Sequence, residues 1–153
     1  MKYYWKIFLF LIINFGCLAL GSFLMNNGPA SAWYLNLNKA PWTPPGRVFG
    51  LAWSVIMFCF SFYMAKLISL KNQSEVYLLY GLQCILNVIW NYLFFNLHVV
   101  NLAMLILSSL TVLIVLFYVK YKSLLKQNSL LIAPYAIWLL LACSLNGYII
   151  LFN

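Results

Sequence analysis

Aromatic rings and side-chain amides are the groups in this chain whose spacing suggests chemistry. Asn87, Trp90 and Asn91 are three and four residues apart, which places them on one face of a helix. A second set with helical spacing consists of Tyr135, Trp138, Ala142 and Asn146. Two such faces predict the walls of a pocket that binds by stacking and by neutral hydrogen bonds. The alternative is that Asn87 and Asn146 hold neighbouring helices together through hydrogen bonds.

The densest aromatic stretch, residues 33–53, carries three of the six tryptophans in the chain. Pro44 and Pro45 fix their own φ angles and restrict the residues before them to extended geometry, which predicts a rigid turn around Trp42. A helix that carries Trp53 is expected to begin at the prolines, because proline is tolerated in the first turn. Rigid aromatic groups at the mouth of a helix favour a flat ligand.

Residues for acid–base or metal chemistry are scarce. Glu75 is the only acidic residue and His98 the only histidine, and both are expected in connections between spans. Ion-coupled transport and intramembrane hydrolysis usually need ionisable groups inside the bundle, so both classes are disfavoured. Ser108 and Ser109 have no activating neighbour in sequence and are interpreted as packing residues. The four cysteines show no ligand spacing, so neither a metal site nor a disulfide framework is predicted.

Membrane-spanning helices must position these side chains. The chain of 153 residues is 66% hydrophobic and 7% charged, whereas soluble proteins are about 25% charged. A spanning helix needs roughly 20 apolar residues. We therefore predict an all-α integral membrane protein, a bundle of five transmembrane helices with a structured loop between the first two, in one domain over residues 1–153. The spans are expected near residues 7–25, 46–67, 76–97, 99–119 and 130–152.

The charge distribution predicts the orientation of this bundle. Most lysines flank the N-terminus and the second and fourth connections, while Lys39 and Arg47 lie on the opposite side. The positive-inside rule then predicts a cytoplasmic N-terminus, and an α-helical bundle with this lysine bias suits a cytoplasmic membrane, such as that of a bacterium. A net charge of +8 reflects lysines near anionic lipid and predicts no nucleic-acid partner. Lys39 and Arg47 are either interfacial anchors or partners for the carboxylates of a ligand.

An N-terminal signal peptide is the alternative interpretation of the first span, because Lys2 and Lys6 precede its apolar run. We disfavour it because the run is long. No small-residue cleavage site closes it before the Asn-Asn-Gly-Pro sequence at residues 26–29.

Three blocks of sequence resemble the TspO/MBR family, the tryptophan-rich sensory proteins related to the mitochondrial translocator protein. The first block contains Trp33, Tyr34, Leu37, Lys39, Trp42, Pro44, Pro45, Phe49 and Trp53. The second contains Leu86, Asn87, Trp90, Phe94 and Phe95. The third contains Pro134, Tyr135, Trp138, Leu139, Ala142, Leu145 and Asn146. The blocks occur in the order of the family, so the resemblance covers nearly the whole chain.

The resemblance implies a five-helix bundle, commonly a homodimer, that binds porphyrins or drug-like aromatic ligands in a pocket on the first-loop side. Protoporphyrin IX or haem is the expected ligand, and no cofactor is required. The candidate ligand-binding residues are Tyr34, Trp42, Pro44, Trp53, Asn87, Trp90, Trp138, Ala142 and Leu145. Trp42 is expected to cap the pocket or support its lid.

The implied role is sensory or regulatory. In some bacterial members the tryptophans that correspond to Trp53 and Trp138 are associated with light- and oxygen-dependent breakdown of protoporphyrin IX. These two residues are therefore the candidate catalytic residues, and enzymatic activity stays an open alternative. A facilitator that moves porphyrins or other lipophilic metabolites is the second alternative, and a scaffold for a membrane partner is the third.

Two departures from the family affect the expected ligand. The family usually has Lys-Pro-x-Trp, whereas here Pro41 directly precedes Trp42, so the shape of the loop is expected to differ. The sterol-recognition motif of mammalian members requires a basic residue after the tyrosine that corresponds to Tyr148, and this chain has none. Sterol recognition is therefore disfavoured.

Small residues suggest where helices approach closely. Gly46, Gly50 and Ser54 repeat every four residues in the second span, a spacing that allows close packing within one subunit or between two. The resemblance favours a homodimer through the third span, where Gly81 and Cys84 are the small residues.

Overall fold

The computed structural model describes residues 2–153, which fold into helices and contain no strand. This confirms the predicted all-α class. The long helices are α1 (Tyr3–Leu24), α3 (Gly46–Leu70), α4 (Ser74–Asn91), α5 (Val100–Leu125) and α6 (Ala133–Phe152). The short helix α2 (Ala32–Asn36) lies in the loop between α1 and α3. As predicted, Pro45 immediately precedes the first residue of α3.

Hydropathy shows that the chain is a multi-pass membrane protein. Within residues 2–153, four continuous helical runs are long and apolar enough to cross a membrane. The last run, residues 100–152, is interrupted by a 3-10 segment (Lys126–Ile132), where Lys126 has a φ of 53°. Thr111 Oγ1 of α5 lies 3.4 Å from Cys143 Sγ of α6, so the run folds back on itself. The described residues therefore supply the five predicted spans.

The connections lie at two opposite ends of the bundle. The loop end consists of residues 25–45, the turn at residues 97–99 and the C-terminal residue Asn153. The side-chain amide of Asn153 accepts from the Asn38 N–H at 2.8 Å and donates to the Asn38 carbonyl at 3.2 Å. The lysine end carries the start of α1 and the other two connections. There Lys6 Nζ donates to Ser69 Oγ at 3.1 Å.

Buried hydrogen bonds between side chains join the helices in the middle of the bundle. Asn14 Nδ2 of α1 donates to Ser61 Oγ of α3 at 2.8 Å, and Tyr80 Oη of α4 donates to Asn14 Oδ1 at 2.8 Å. Gln83 Nε2 of α4 donates to Tyr135 Oη of α6 at 2.6 Å. Lipid is as apolar as a leucine side chain, so polar contacts of this kind help to select which helices pair.

A change of helical pitch ends the third span. The α-helical part of α4 stops at Asn91, and a π-helix (Tyr92–Asn96) continues to the turn. The Leu97 N–H donates to the Tyr92 carbonyl, five residues earlier, at 3.0 Å. The wider turn contains Phe94 and Phe95, which contact the loop. Hydropathy predicts an uninterrupted helix over residues 76–97 and does not reveal the π-helix, a feature that recurs at functional sites.

Candidate functional site

Helix α2 packs against the end of the π-helix through aromatic rings. The Trp33 ring stacks on His98, with 4.0 Å between centroids, and meets the edge of Phe94 at 5.5 Å. The Tyr34 ring lies 5.4 Å from Phe95. A tyrosine hydroxyl is neutral near pH 7, and partial burial raises the pKa of Tyr34 further above its ordinary value. The first loop is therefore structured, as predicted, and it presents Tyr34 as a neutral group.

Lys39 caps the C-terminus of α2. Its ammonium donates to the carbonyls of Tyr34, Leu35 and Leu37 at 2.9, 3.1 and 3.3 Å and lies 5.0 Å from the Tyr34 ring centroid. A cation at this position satisfies carbonyls that the helix leaves free. Arg47 is exposed and forms no ion pair with any residue in the described range 2–153. Of the two loop-end cations, Lys39 is therefore held by backbone carbonyls, whereas Arg47 has no ion-pair partner among residues 2–153.

Replacing Lys39 with methionine is expected to loosen α2. A cation near a helix C-terminus contributes about 0.3–1 kcal/mol, and up to about 2 kcal/mol where it is partly buried. We therefore expect the backbone amides of residues 34–37 to exchange with deuterium several-fold faster in Lys39→Met. Hydrogen-exchange mass spectrometry in detergent would measure the rates, with Arg47→Met as the matched control. Equal rates in the two variants would contradict the capping role.

The main cavity lies between α1 and α3 at the loop end and has a volume of about 340 Å³. Its walls are Leu18, Ser22, Met25, Pro29, Gly46, Phe49, Gly50, Trp53, Ser54, Trp90, Asn91 and Phe95. A Cβ atom added to Gly46 or Gly50 would meet no atom of the described chain within 4 Å. Of the two alternatives for this glycine stripe, the structure therefore does not support close packing within the subunit. In this subunit the stripe leaves space beside α3.

Two indoles form a wall of the main cavity. Trp53 is only 8% exposed, and its ring lies 6.5 Å from that of Trp90, with 26° between the planes. Tyr135 of α6 packs against Trp53 in an edge-to-face arrangement, with 5.9 Å between the ring centroids. These neighbours hold Trp53 in one orientation. Rings fixed in this way offer a flat aromatic ligand a surface with little loss of side-chain entropy.

The mouth cavity, of about 220 Å³, adjoins the main cavity below the first loop. Its walls are Pro29, Tyr34, Lys39, Thr43, Pro44, Gly46, Phe49 and Phe95. Thr43 Oγ1 donates to the Ala40 carbonyl at 2.7 Å, which stabilises the turn before Pro44. The structure thus brings the candidate residues Tyr34 and Pro44 to the entrance of the space that Trp53 and Trp90 line.

The small cavity, of about 40 Å³, lies between α4 and α6. Its walls are Tyr34, Phe49, Trp90, Phe94, Phe95, Ala142, Leu145, Asn146 and Ile149. Four candidate residues therefore meet here, because Ala142 and Leu145 of α6 face Tyr34 and Trp90. Asn146 was not among the candidate ligand-binding residues. Its helical spacing from Ala142 was the signal that placed it on the same wall.

The remaining candidate residues lie outside these three cavities. Trp138 contacts Phe49 edge to face at 5.3 Å and lines a lateral groove of about 290 Å³ between α3 and α6. Trp42 is 52% exposed, and its Nε1 donates to Ser144 Oγ of α6 at 3.1 Å. Asn87 is buried and does not line the main, mouth or small cavity. Trp53 and Trp138 therefore face different spaces.

A larger depression of about 580 Å³ lies beside the α4–α5 turn and contains none of the candidate residues. Its walls include exposed residues such as His98, Asn101 and Asn153. We therefore do not assign the candidate site to it.

The structure does not support a hydrogen-bonded seam of Asn87 and Asn146. Asn87 Oδ1 and both polar atoms of the Asn146 side chain are buried without a partner among residues 2–153. The amides that do join helices belong to Asn14 and Gln83.

The chemistry available at the loop end is that of rings, hydroxyls and neutral amides. Within the described part of the chain, no group of three or more His, Cys, Asp or Glu side chains is arranged to hold a metal ion. The three cavities instead combine aromatic faces with amide groups from Asn91 and Asn146. Such walls suit binding through shape, stacking and hydrogen bonds.

Comparison with known proteins accounts for this combination of loop and helices. A family model described as TspO/MBR family matches residues 8–151. The chain belongs to the TspO/MBR family. The match extends over all three cavities, so the site lies within the part of the chain that defines TspO/MBR membership.

Several proteins resemble this TspO/MBR chain over most of their length. Protein CrtK of Rhodobacter capsulatus is 32% identical over 119 residues, which cover 75% of this chain and 74% of that protein. Tryptophan-rich protein TspO of Archaeoglobus fulgidus is 34% identical over 125 residues, covering 79% and 80%. A tryptophan-rich sensory protein of Cereibacter sphaeroides is 28% identical over 142 residues, covering 93% and 88%.

Proposed function

We propose that this TspO/MBR protein binds a tetrapyrrole, such as protoporphyrin IX or haem, within the membrane and serves a sensory or regulatory role. The main cavity carries the proposal, because the absent side chains of Gly46 and Gly50 leave a gap beside the fixed indoles of Trp53 and Trp90. A macrocycle presents a wide π-face and apolar edges to such walls.

The size and position of the cavities support a ligand of this class. Ligand pockets commonly measure about 300–1,000 Å³, and the main and mouth cavities share walls at Pro29, Gly46, Phe49 and Phe95. Arg47 lies at the start of α3, beside Gly46, and its exposed guanidinium suits a porphyrin carboxylate at the membrane surface. The name of the Cereibacter sphaeroides relative, a tryptophan-rich sensory protein, supports the regulatory part of the proposal.

Protoporphyrin IX titration tests the binding site. Quenching of intrinsic tryptophan fluorescence would report binding to the purified protein. We expect Trp53→Phe to weaken affinity several-fold, since aromatic pairs contribute about 0.5–1.5 kcal/mol beyond their buried area. Trp5→Phe is the matched control, because Trp5 is exposed at the opposite end of the bundle. Unchanged affinity in Trp53→Phe would place the porphyrin elsewhere.

The same Trp53→Phe variant tests whether the bound porphyrin is degraded. Photo-oxidation needs bound porphyrin, light, oxygen and a nearby oxidisable indole, and Trp53 lines the main cavity. Under illumination, the porphyrin absorbance should decay faster with the unmodified protein than with Trp53→Phe. Equal decay at equal occupancy would remove the enzymatic part of the proposal and leave the binding part intact. Protein-dependent porphyrin flux into sealed vesicles would instead favour the facilitator.

A further inference from the structure

Two cysteines lie side by side where α1 packs against α4. The thiol of Cys17 on α1 is within side-chain hydrogen-bonding contact of the thiol of Cys84 on α4. Cys84 Sγ also lies 3.5 Å from Gln83 Oε1. We call Cys17 and Cys84 the thiol pair. Spacing along the chain does not reveal this pair, because the packing of two helices forms it.

Contacts on both sides of the thiol pair hold α1 and α4 together. Toward the lysine end, Tyr80 Oη donates to Asn14 Oδ1 at 2.8 Å. Toward the loop end, a Cβ atom added to Gly21 would lie only 3.0 Å from Asn91 Nδ2, so the two helices are in close contact there. A disulfide usually joins residues whose Cα atoms are about 4.4–6.8 Å apart. Close contacts on either side of the pair favour such a separation.

The thiol pair is accessible from the lipid. Cys17 and Cys84 are each only partly buried, and both belong to membrane-spanning helices. Gly16 precedes Cys17, and Gly81 lies three residues before Cys84. A Cβ atom added to either glycine would meet no atom of residues 2–153 within 4 Å. A small apolar molecule dissolved among the acyl chains can therefore reach the sulfur atoms.

A disulfide is the product that suits this environment. Metal binding requires deprotonated thiolates, whose charge is costly to bury among apolar groups. Within the described residues, no third His, Cys, Asp or Glu side chain joins the pair to complete a metal site. A disulfide carries no charge and needs no further ligand, so oxidation of the pair leaves the interior of the bundle neutral.

We propose that Cys17 and Cys84 form an oxidative modification site, at which a hydroperoxide in the acyl-chain region converts the thiol pair to a reversible disulfide. One sulfur attacks the terminal peroxide oxygen and the O–O bond breaks, so that the thiol becomes a sulfenic acid and the hydroperoxide leaves as an alcohol. The second sulfur then forms the S–S bond and releases the sulfenic hydroxyl as water. The two thiols lose two electrons and two protons, and the hydroperoxide accepts them.

Thiol counting tests the modification. The protein, with no porphyrin added, is placed in dimyristoylphosphatidylcholine vesicles and treated with cumene hydroperoxide, an apolar probe. After denaturation, the thiols that react with a maleimide should fall from four to two, and dithiothreitol should restore them. Mass spectrometry should find Cys17 linked to Cys84 within one chain. Retention of all four thiols, a bond that includes Cys59 or Cys143, or a bond between two copies of the chain would overturn the inference.

Serine variants show which thiols take part. Cys17→Ser and Cys84→Ser each lack one partner, so neither should form a disulfide, and dimedone should trap the remaining thiol of the pair as its sulfenic acid. Cys59→Ser is the matched control, because it removes a partly buried thiol of α3 outside the pair. It should lose two thiols, as the unmodified protein does. Disulfide formation that persists in Cys17→Ser, or that fails in Cys59→Ser, would contradict the assignment.

Hydrogen peroxide distinguishes an oxidant in the membrane from one in water. At equal total concentration, it should oxidise the thiol pair several-fold more slowly than cumene hydroperoxide, which partitions into lipid. An equal or faster reaction would contradict the route through the acyl chains.

Thermal unfolding distinguishes the bond from a packing role of the two cysteines. Oxidation should raise the unfolding midpoint of the unmodified protein and of Cys59→Ser, because a cross-link restricts the unfolded chain. Dithiothreitol should reverse the shift, and Cys17→Ser should show none. A midpoint that is unchanged or lower in the oxidised protein would overturn the inference, since the bond would then not fit the native packing of α1 and α4.

Discussion

Replacing Gly50 with leucine is expected to weaken porphyrin binding at least about a hundredfold without loss of stability. The new side chain would occupy part of the main cavity and exclude the porphyrin from it. A hundredfold loss of affinity corresponds to about 2.8 kcal/mol of binding free energy. An added Cβ meets no atom of residues 2–153 within 4 Å, and leucine favours a helix over glycine by almost 1 kcal/mol. Porphyrin titration and thermal unfolding of the same preparation would measure both effects.

Gly16 offers the matched control for this substitution. It lies on the exposed face of α1, and an added Cβ there also meets nothing within 4 Å in the described chain. Gly16→Leu should therefore bind porphyrin normally. Normal binding by Gly50→Leu would show that the ligand does not use the main cavity, and loss of binding in both variants would show that the effect is not specific to it.

Replacing Asn14 with leucine is expected to destabilise the bundle by about 1–3 kcal/mol. The substitution removes both hydrogen bonds that join α1 to Ser61 and Tyr80, and it leaves the buried Tyr80 hydroxyl without an acceptor. The membrane environment favours the lower part of this range, since hydrogen bonds between transmembrane helices average about 0.6 kcal/mol in mutant cycles. Reversible unfolding in mixed detergent would give the free energy of unfolding.

A double variant distinguishes the lost bond from a general packing defect. In Asn14→Leu/Tyr80→Phe the unpaired hydroxyl is absent, so part of the stability should return. The cost of the double variant should then be smaller than the sum of the two single costs. Fully additive costs would show that Asn14 acts through packing alone.

Hydropathy and turn residues were enough to predict the architecture. Lengths of apolar sequence determine where a chain can cross a bilayer, and the expected spans agree with α1 and α3 to α6 within a few residues at most ends. The largest differences are at the ends of the third and fourth spans. The third was expected to end at residue 97, whereas α4 ends at Asn91 and a π-helix follows it; the fourth was expected to end at residue 119, whereas α5 continues to Leu125. Pro45 marked the start of α3 because its geometry suits that position.

The candidate site was only partly predictable, because spacing defines a face but not what lies opposite it. The sequence placed Trp90, Ala142 and Asn146 on pocket-facing stripes, and the structure brings these residues to the small cavity. The spacing of Gly46 and Gly50 indicated close packing, yet α1 does not fill the space beside them. The direction in which helices diverge depends on contacts elsewhere, and a local pattern does not contain that information.

The pitch of the third span was unpredictable for a related reason. A π-helix preserves the same apolar composition as an α-helix, so hydropathy does not distinguish them. Its presence depends on tertiary contacts, here those of Phe94 and Phe95 with the rings of α2. Those contacts join residues far apart in the chain.

The buried hydrogen bonds between helices and the main cavity lie at different depths in the bundle, which has a consequence for signalling. Asn14, Ser61 and Tyr80 hold the middle of the bundle, whereas the main cavity separates α1 from α3 at the loop end. A ligand in that cavity would restrict the thermal motion of the loop end while the lysine end keeps its average shape. Changes in conformational entropy can convey occupancy without a change of structure. Amide exchange rates at residues 25–45 would then report this loss of motion.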